Sequence, residues 1–409
     1  MKLFFILTLL PQIAMALPTK DFQFRESIKT VIKNSTMPDV MPGMVVASPS
    51  RSNPDYYYDW VRDTALTYRS LIDLYELKKD RKIKDMIFTW VKAETYRQNQ
   101  PTFSGLGEPK YFIDGSGYTG GWGRPQNDGP ALRALAMVKF ARILIDEGNP
   151  EYVLKNLYHG IIPADSVIKK DLEYTAHHWR NPSFELWEEE KGMHFYTLLS
   201  QHTALQEGAK LARELGDVGA ADFYEKESKN IAHYLKNEFV DSRIGILNSK
   251  YLVNGGLGYK HANIDVAPLL ALNHNSPYQT LFNRNSPEVR RYLDVMVKTF
   301  KDLYRVNSDY PNLGVAIGRY PEDRYDGYTT SGEGNPWFLA TLALGEHYCF
   351  VGRKDLAEKQ FNRALFHSDR NGSMSEQLNQ HTGTMQGAYQ LTWSHSAFMT
   401  AMMRCGLAK

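Results

Sequence analysis

Apolar residues recur along most of this chain with a helical period. Between Trp60 and Leu77 they fall at Trp60, Val61, Leu66, Leu71, Ile72, Leu74 and Tyr75, close to the 3.6-residue repeat of one helix face. Similar runs cover 82–98, 129–147, 163–178, 194–214, 217–238, 287–304, 335–350, 352–368 and 386–403, with weaker ones near 21–34, 151–158 and 263–274. Strand-like alternation is nearly missing, so the pattern predicts an all-α protein of about a dozen helices. Two starts carry proline in a first helical turn: Ser286-Pro287, followed by Glu288, and Asn335-Pro336.

The polar stretches are as informative as the helices. Connections rich in Gly, Pro, Asn and aromatic residues span 41–59, 99–128, 179–193, 239–262, 305–334 and 369–385, about one after every second helix. Loops beyond roughly 12–15 residues are uncommon in compact domains and usually carry function. A ring of helical hairpins with these loops gathered at one end satisfies the spacing. No Ser/Gly- or Pro-rich linker interrupts the run, so residues 17–409 read as a single domain.

Composition narrows the partner. The 409 residues hold 48 Lys+Arg against 46 Asp+Glu, a formal charge of +2, which offers no field for nucleic acid. Residues 1–16 read as an export signal: Lys2, the apolar run Leu3–Leu10, and Ala14-Met15-Ala16 as the cleavage site. That run is too short to span a bilayer and no later stretch is long enough, so a secreted or periplasmic chain without a membrane anchor is expected. Cys349 and Cys405 are the two cysteines, either bridged or buried as thiols. Aromatics are abundant, with 25 Tyr, 19 Phe and 7 Trp, which suits recognition of a polar ligand as well as a core.

The unusual residues cluster in the loops. Arg62-Asp63 sets a guanidinium beside a carboxylate, a pair that grips vicinal hydroxyls and equally forms a local ion pair. Tyr118–Gly123 surrounds Trp122 with glycines that let a flat ligand approach, or a tight turn form. Glu188-Glu189-Glu190 follows Trp187; a carboxyl there facing an apolar pocket would stay protonated as a general acid requires, whereas a solvated charge run is the plainer reading. Arg319 stands near Glu322 and Asp323, Asn335-Pro336-Trp337 follows, and Glu376 lies in a polar loop. Asn34-Ser35-Thr36 and Asn371-Gly372-Ser373 are glycosylation sequons. The chain lacks Gly-x-Ser-x-Gly, a Walker loop and His-Glu-x-x-His, and adjacent His177 and His178 point their rings apart.

In order, SNPDYYYDWVRD (52–63), YTGGWGRPQNDGPALRA (118–134), ELWEE (185–189), GRYPEDRY (318–325), GNPWFLATLA (334–343) and SMSEQ (373–377) resemble glycoside hydrolase family 15, the fungal-type glucoamylases. The resemblance covers about 45–403 and implies an (α/α)6 barrel. It implies that Glu188 is the general acid and Glu376 the general base, and that Arg62, Asp63 and Arg319 hold the hydroxyls of the terminal glucose. Tyr56 would lie near the oxocarbenium ion and Trp122 over the site, with Trp60, Trp187, Glu189, Tyr325 and Trp337 as further pocket residues. The family's fungal members usually carry Asp where this chain has Glu185, so the group supporting the acid is one methylene longer. Nothing follows the last helix, so no starch-binding domain is expected. The implied activity is exo-hydrolysis of α-1,4-glucans with inversion, by a monomer needing no cofactor or metal. Same-family glucodextranases and trehalases are the alternative, and a glucan-binding protein without catalysis a more distant one.

Overall fold

The computed structural model describes residues 18–408; the expected leader at 1–16 lies outside them. In chain order the long helices are α1 Lys20–Asn34, α2 Val61–Lys78, α3 Arg81–Arg97, α4 Asp128–Asp146, α5 Val167–His178 and α6 Phe195–Glu214. They continue as α7 Val218–Glu238, α8 Ala267–His274, α9 Pro287–Leu303, α10 Phe338–Phe350, α11 Lys354–His367 and α12 Thr392–Arg404. Strands among the described residues are ladders of two to four residues within the loops.

Alternate helices close a ring. Helix α2 packs on α4, α4 on α6, α6 on α8, α8 on α10, α10 on α12, and α12 returns to α2. The odd-numbered helices lie outside: α3 on α2, α5 on α4, α7 on α6, α11 on α10 and α1 on α12. Helix α9 is tied in through Tyr292, whose hydroxyl donates to the Asp265 carbonyl and accepts the Leu269 N–H. This is the expected (α/α)6 barrel.

Sequence explains which helix goes where. An inner helix is covered on both sides, so it must be apolar nearly all round. In α10 every residue from Phe338 to His347 is buried. Outer α9 buries a single stripe, Val289, Tyr292, Leu293, Met296 and Phe300. Ion pairs join the layers: Arg133 of α4 bridges Asp171 of α5 and Glu94 of α3, and Arg97 joins Glu94 to Asp59 just before α2. The long loops precede inner helices, so all six inner N-termini meet one rim. At none of these six ends does the N-cap residue's own side chain bond the helix, although Asp265 accepts the Ala267 N–H at α8, whereas outer α1, α3 and α7 are capped by Thr19, Asp80 and Asp217.

Several expectations need correction. Helix α10 starts at Phe338, and the Pro336 carbonyl instead accepts the N–H of Leu378, so Asn335-Pro336 belongs to the rim. Helix α12 starts at Thr392 and not at 386, because Met385–Gln386 pairs with Gln377–Leu378 and Gly387 and Gln390 take positive φ of 73° and 49°. Helix α5 starts at Val167, and the weak segment at 151–158 is a helical turn running into a π turn. Ser286-Pro287 does begin a helix. Cys349 and Cys405 are bridged. Asn34 is buried, donating to the Gln390 carbonyl and Thr392 Oγ1, while Asn371 is exposed. His178 stacks on Tyr174 and His177 turns to Phe223, so the two rings do diverge.

Candidate active site

A cavity of about 410 Å³ opens among the rim loops. That volume lies within the roughly 300–1,000 Å³ usual for small-ligand pockets. Tyr56, Trp60, Arg62, Asp63, Trp122, Trp187, Glu188, Glu189, Arg319, Tyr325, Trp337 and Glu376 all line it, so every residue singled out for the site reaches one place. Loops from around the whole ring contribute. The approach to α8 acts indirectly, through Asp265, whose carboxylate accepts the Trp187 indole N–H at 3.0 Å.

Glu188 sits at the turn of 185–190 in the left-handed region, φ 70°, which a non-glycine residue adopts only when its surroundings enforce it. The enforcing group is Glu185. Its Oε2 accepts the N–H groups of Trp187 and Glu188, and its Oε1 those of Glu189 and Glu190, at 2.9–3.0 Å. The longer side chain at this position therefore holds the backbone of the turn. Burial pushes the Glu185 carboxyl up to about 7, opposed by the Lys260 ammonium.

The two candidate catalytic carboxyls differ in their donors. Glu188 Oε1 accepts from Trp60 Nε1 at 2.8 Å and Gln126 Nε2 at 2.9 Å, with Arg62 Nη2 at 3.9 Å; among the described residues Oε2 has no partner. Glu376 has donors on both sides: the Tyr56 hydroxyl reaches Oε1 at 2.9 Å and the Tyr325 hydroxyl reaches Oε2 at 3.1 Å. Those hydroxyls also lie 2.9 Å apart, but two protons cannot serve three contacts, so both point at the carboxylate when it is ionised. Burial pushes Glu376 up to about 7, with both tyrosine hydrogen bonds pulling it down.

The remaining polar groups are held from behind and leave atoms free in front. Arg62 donates through Nη1 to Gln126 and Asp128, and Arg319 is gripped by Asp323 and Glu189. Among the described residues, Arg62 Nη2 and Arg319 Nη1 make no hydrogen bond, and the buried indole nitrogens of Trp122 and Trp337 have no acceptor. Asp63 pairs with Arg62 Nε at 3.5 Å and has no hydrogen bond among the described residues, and burial pushes its carboxyl up to about 7.

Residues 25–366 match the model of the family described as Glycosyl hydrolases family 15. The chain belongs to that family. It is 33% identical to a glucoamylase of Blastobotrys adeninivorans over 94% of this chain and 70% of that protein. It is 30% identical to an intracellular, sporulation-specific glucoamylase of Saccharomyces cerevisiae, over 93% of this chain and 82% of the relative. The solved glucoamylase of Saccharomycopsis fibuligera superposes with a TM-score of 0.85 at 28% identity, covering 95% of each chain.

The family 15 pocket also contains residues that sequence reasoning did not single out. Trp393 forms its inner wall, with the Arg62 guanidinium 5.6 Å from the ring, and the same indole walls a separate small cavity beneath. Gln126 links Arg62 to Glu188. Lys110 places its ammonium within 3.7–4.6 Å of the Tyr58, Trp60, Tyr118 and Trp122 rings, a cation–π cage behind the wall that carries the Glu188 contact. Burial lowers that ammonium to about 8. Gln126 lies inside a quoted motif, but nothing in the spacing marks Lys110 or Trp393.

Proposed function

We propose that the protein hydrolyses α-1,4-glucans from their non-reducing ends, releasing glucose one unit at a time with inversion. Family membership and relatives named glucoamylases support a glycoside hydrolase acting on α-glucans and do not favour the glucodextranase or trehalase reading. The observation that carries the mechanism is the unequal supply of donors to Glu188 and Glu376.

Two N–H groups already occupy Glu188 Oε1, so when this carboxyl is protonated the proton sits on Oε2. There it can pass to the glycosidic oxygen as the bond breaks. Glu376 receives a hydroxyl on each oxygen, which favours the anion and makes it the base that takes a proton from the attacking water. Arg62 Nη2, Arg319 Nη1 and the Asp63 carboxylate are free to bind the hydroxyls of the terminal sugar. A pocket closed at its inner end by Trp393 accepts only a chain tip, which gives the exo mode.

Glu188→Gln should lose about 10²–10⁴-fold in kcat, and Glu376→Gln a similar factor. Near-full turnover in either variant removes the assignment. Initial release of β-glucose from maltooligosaccharides tests inversion; α-glucose as first product, or oligosaccharides ahead of glucose, refutes this reading.

Export completes the proposal. The leader-like residues 1–16 support it, and so does a disulfide, which persists in oxidising compartments. Amino-terminal sequencing of the native protein decides: a mature start after Ala16 is expected, and an intact Met1 refutes it.

A further inference from the structure

On the other side of Trp393 from the pocket, α2, α8, α10 and α12 line a second cavity of about 30 Å³. That is room for one small ion or a water or two. Arg69 of α2 lines it and is 5% exposed. One terminal nitrogen of Arg69 donates to the Ser276 carbonyl, while Nε and Nη1 have no hydrogen-bond partner.

Buried charges in proteins are normally paired, because desolvating a lone one is expensive. Arg69 has no carboxylate within 4 Å among the described residues. The acidic groups nearest to it are engaged elsewhere: Asp73 of α2 with Lys139 of α4 at 2.5 Å, and Glu346 of α10 with Arg404 of α12 at 2.7 Å. Arg404 brings a second guanidinium to the same cavity wall. From α8 comes His274, neutral because burial and the neighbouring arginines push its pKa far down. Its Nδ1 shares a hydrogen bond with the Tyr196 hydroxyl at 2.8 Å. The Ser396 and Thr400 hydroxyls line this space too, as does the Glu346 carboxylate, whose charge is met by Arg404 on the same wall, and the remaining residues are apolar.

We propose that this cavity binds a small monovalent inorganic anion, chloride, as the counter-ion of Arg69. Donors outnumber acceptors around it, the unpaired charge is positive, and the volume suits a single-atom anion better than a tetrahedral oxyanion. The site is separate from the substrate pocket, with the Trp393 indole between them.

Crystals of the full chain grown in sodium bromide test this directly. An anomalous bromine peak within hydrogen-bond reach of Arg69 Nε and Nη1 is expected. In parallel, melting is followed in sodium chloride against sodium gluconate at constant ionic strength. Tm should rise by about 2 °C for each tenfold increase of chloride above its dissociation constant. Arg69→Met should abolish that dependence, and if this variant does not fold, the wild-type measurements alone decide. No anomalous peak means that water solvates the guanidinium and overturns the proposal. A bromide peak with equal Tm in chloride and gluconate marks an adventitious ion only, and overturns it as well.

Discussion

Tyr56 and Tyr325 act on one proton. Each hydroxyl donates to Glu376 and so stabilises its ionised form against the burial that pushes it up to about 7. As the proposed base, Glu376 works ionised, so activity should fall as pH drops through this pKa. Removing either donor in Tyr56→Phe or Tyr325→Phe raises the pKa, and the acid limb of kcat/KM against pH should move to higher pH. An unmoved limb would show that another group sets it. Glu185 has a different task, holding four backbone N–H groups around the left-handed Glu188. In Glu185→Gln an amide nitrogen must face N–H donors, leaving at least one of them unsatisfied at about 1–3 kcal/mol. The expected result is a kcat about 10- to 100-fold lower with KM little changed, measured on maltotriose.

The inner helices α2, α10 and α12 start at the rim with Val61, Phe338 and Thr392 donating to the backbone carbonyls of Pro109, Glu376 and Ala47, which laces the rim loops to the ring. The approach to α12 shows how tight that rim is. A Cβ on Gly387 would lie 2.4 Å from Glu376 Oε2, at a φ of 73° that already disfavours any side chain. Gly387→Ala should therefore displace the base, costing about 100-fold in kcat, as misplacements near 1 Å do. Arg133 tests the joint between the two layers. Arg133→Met would strand Asp171 and leave Glu94 with Arg97 as its ion-pair partner, and a loss of about 3–5 kcal/mol is expected in urea unfolding. The helices themselves were legible because their apolar residues repeat every 3.6 positions. Starts at α10 and α12 were not, because Pro336 and Gly387 act through contacts with distant segments, which local periodicity does not contain. The site was legible where polar and aromatic residues crowd a loop. Trp393 looks like one more core residue of an apolar helix, and Lys110 gains its place from four rings that only the fold assembles.

At the scale of the molecule, closure is the decisive property. The Cys349–Cys405 bridge fastens the ends of α10 and α12, next to the contact where α12 meets α2 and the ring completes. It encloses a separation of 56 residues, and its loss in Cys405→Ser should cost about 2–4 kcal/mol, read as a lower Tm. The outer layer, with its one-sided stripes, needs only that ring to pack against.

Trp393 walls off the inner end of the pocket, and this fixes the order in which products depart. In the proposed exo mode the freed sugar lies deepest after cleavage, behind the shortened chain. The polymer must back out before the monosaccharide can follow, so the enzyme cannot thread along its substrate. Each unit removed requires a fresh entry, and a sugar returning to the vacated end competes with every new chain tip.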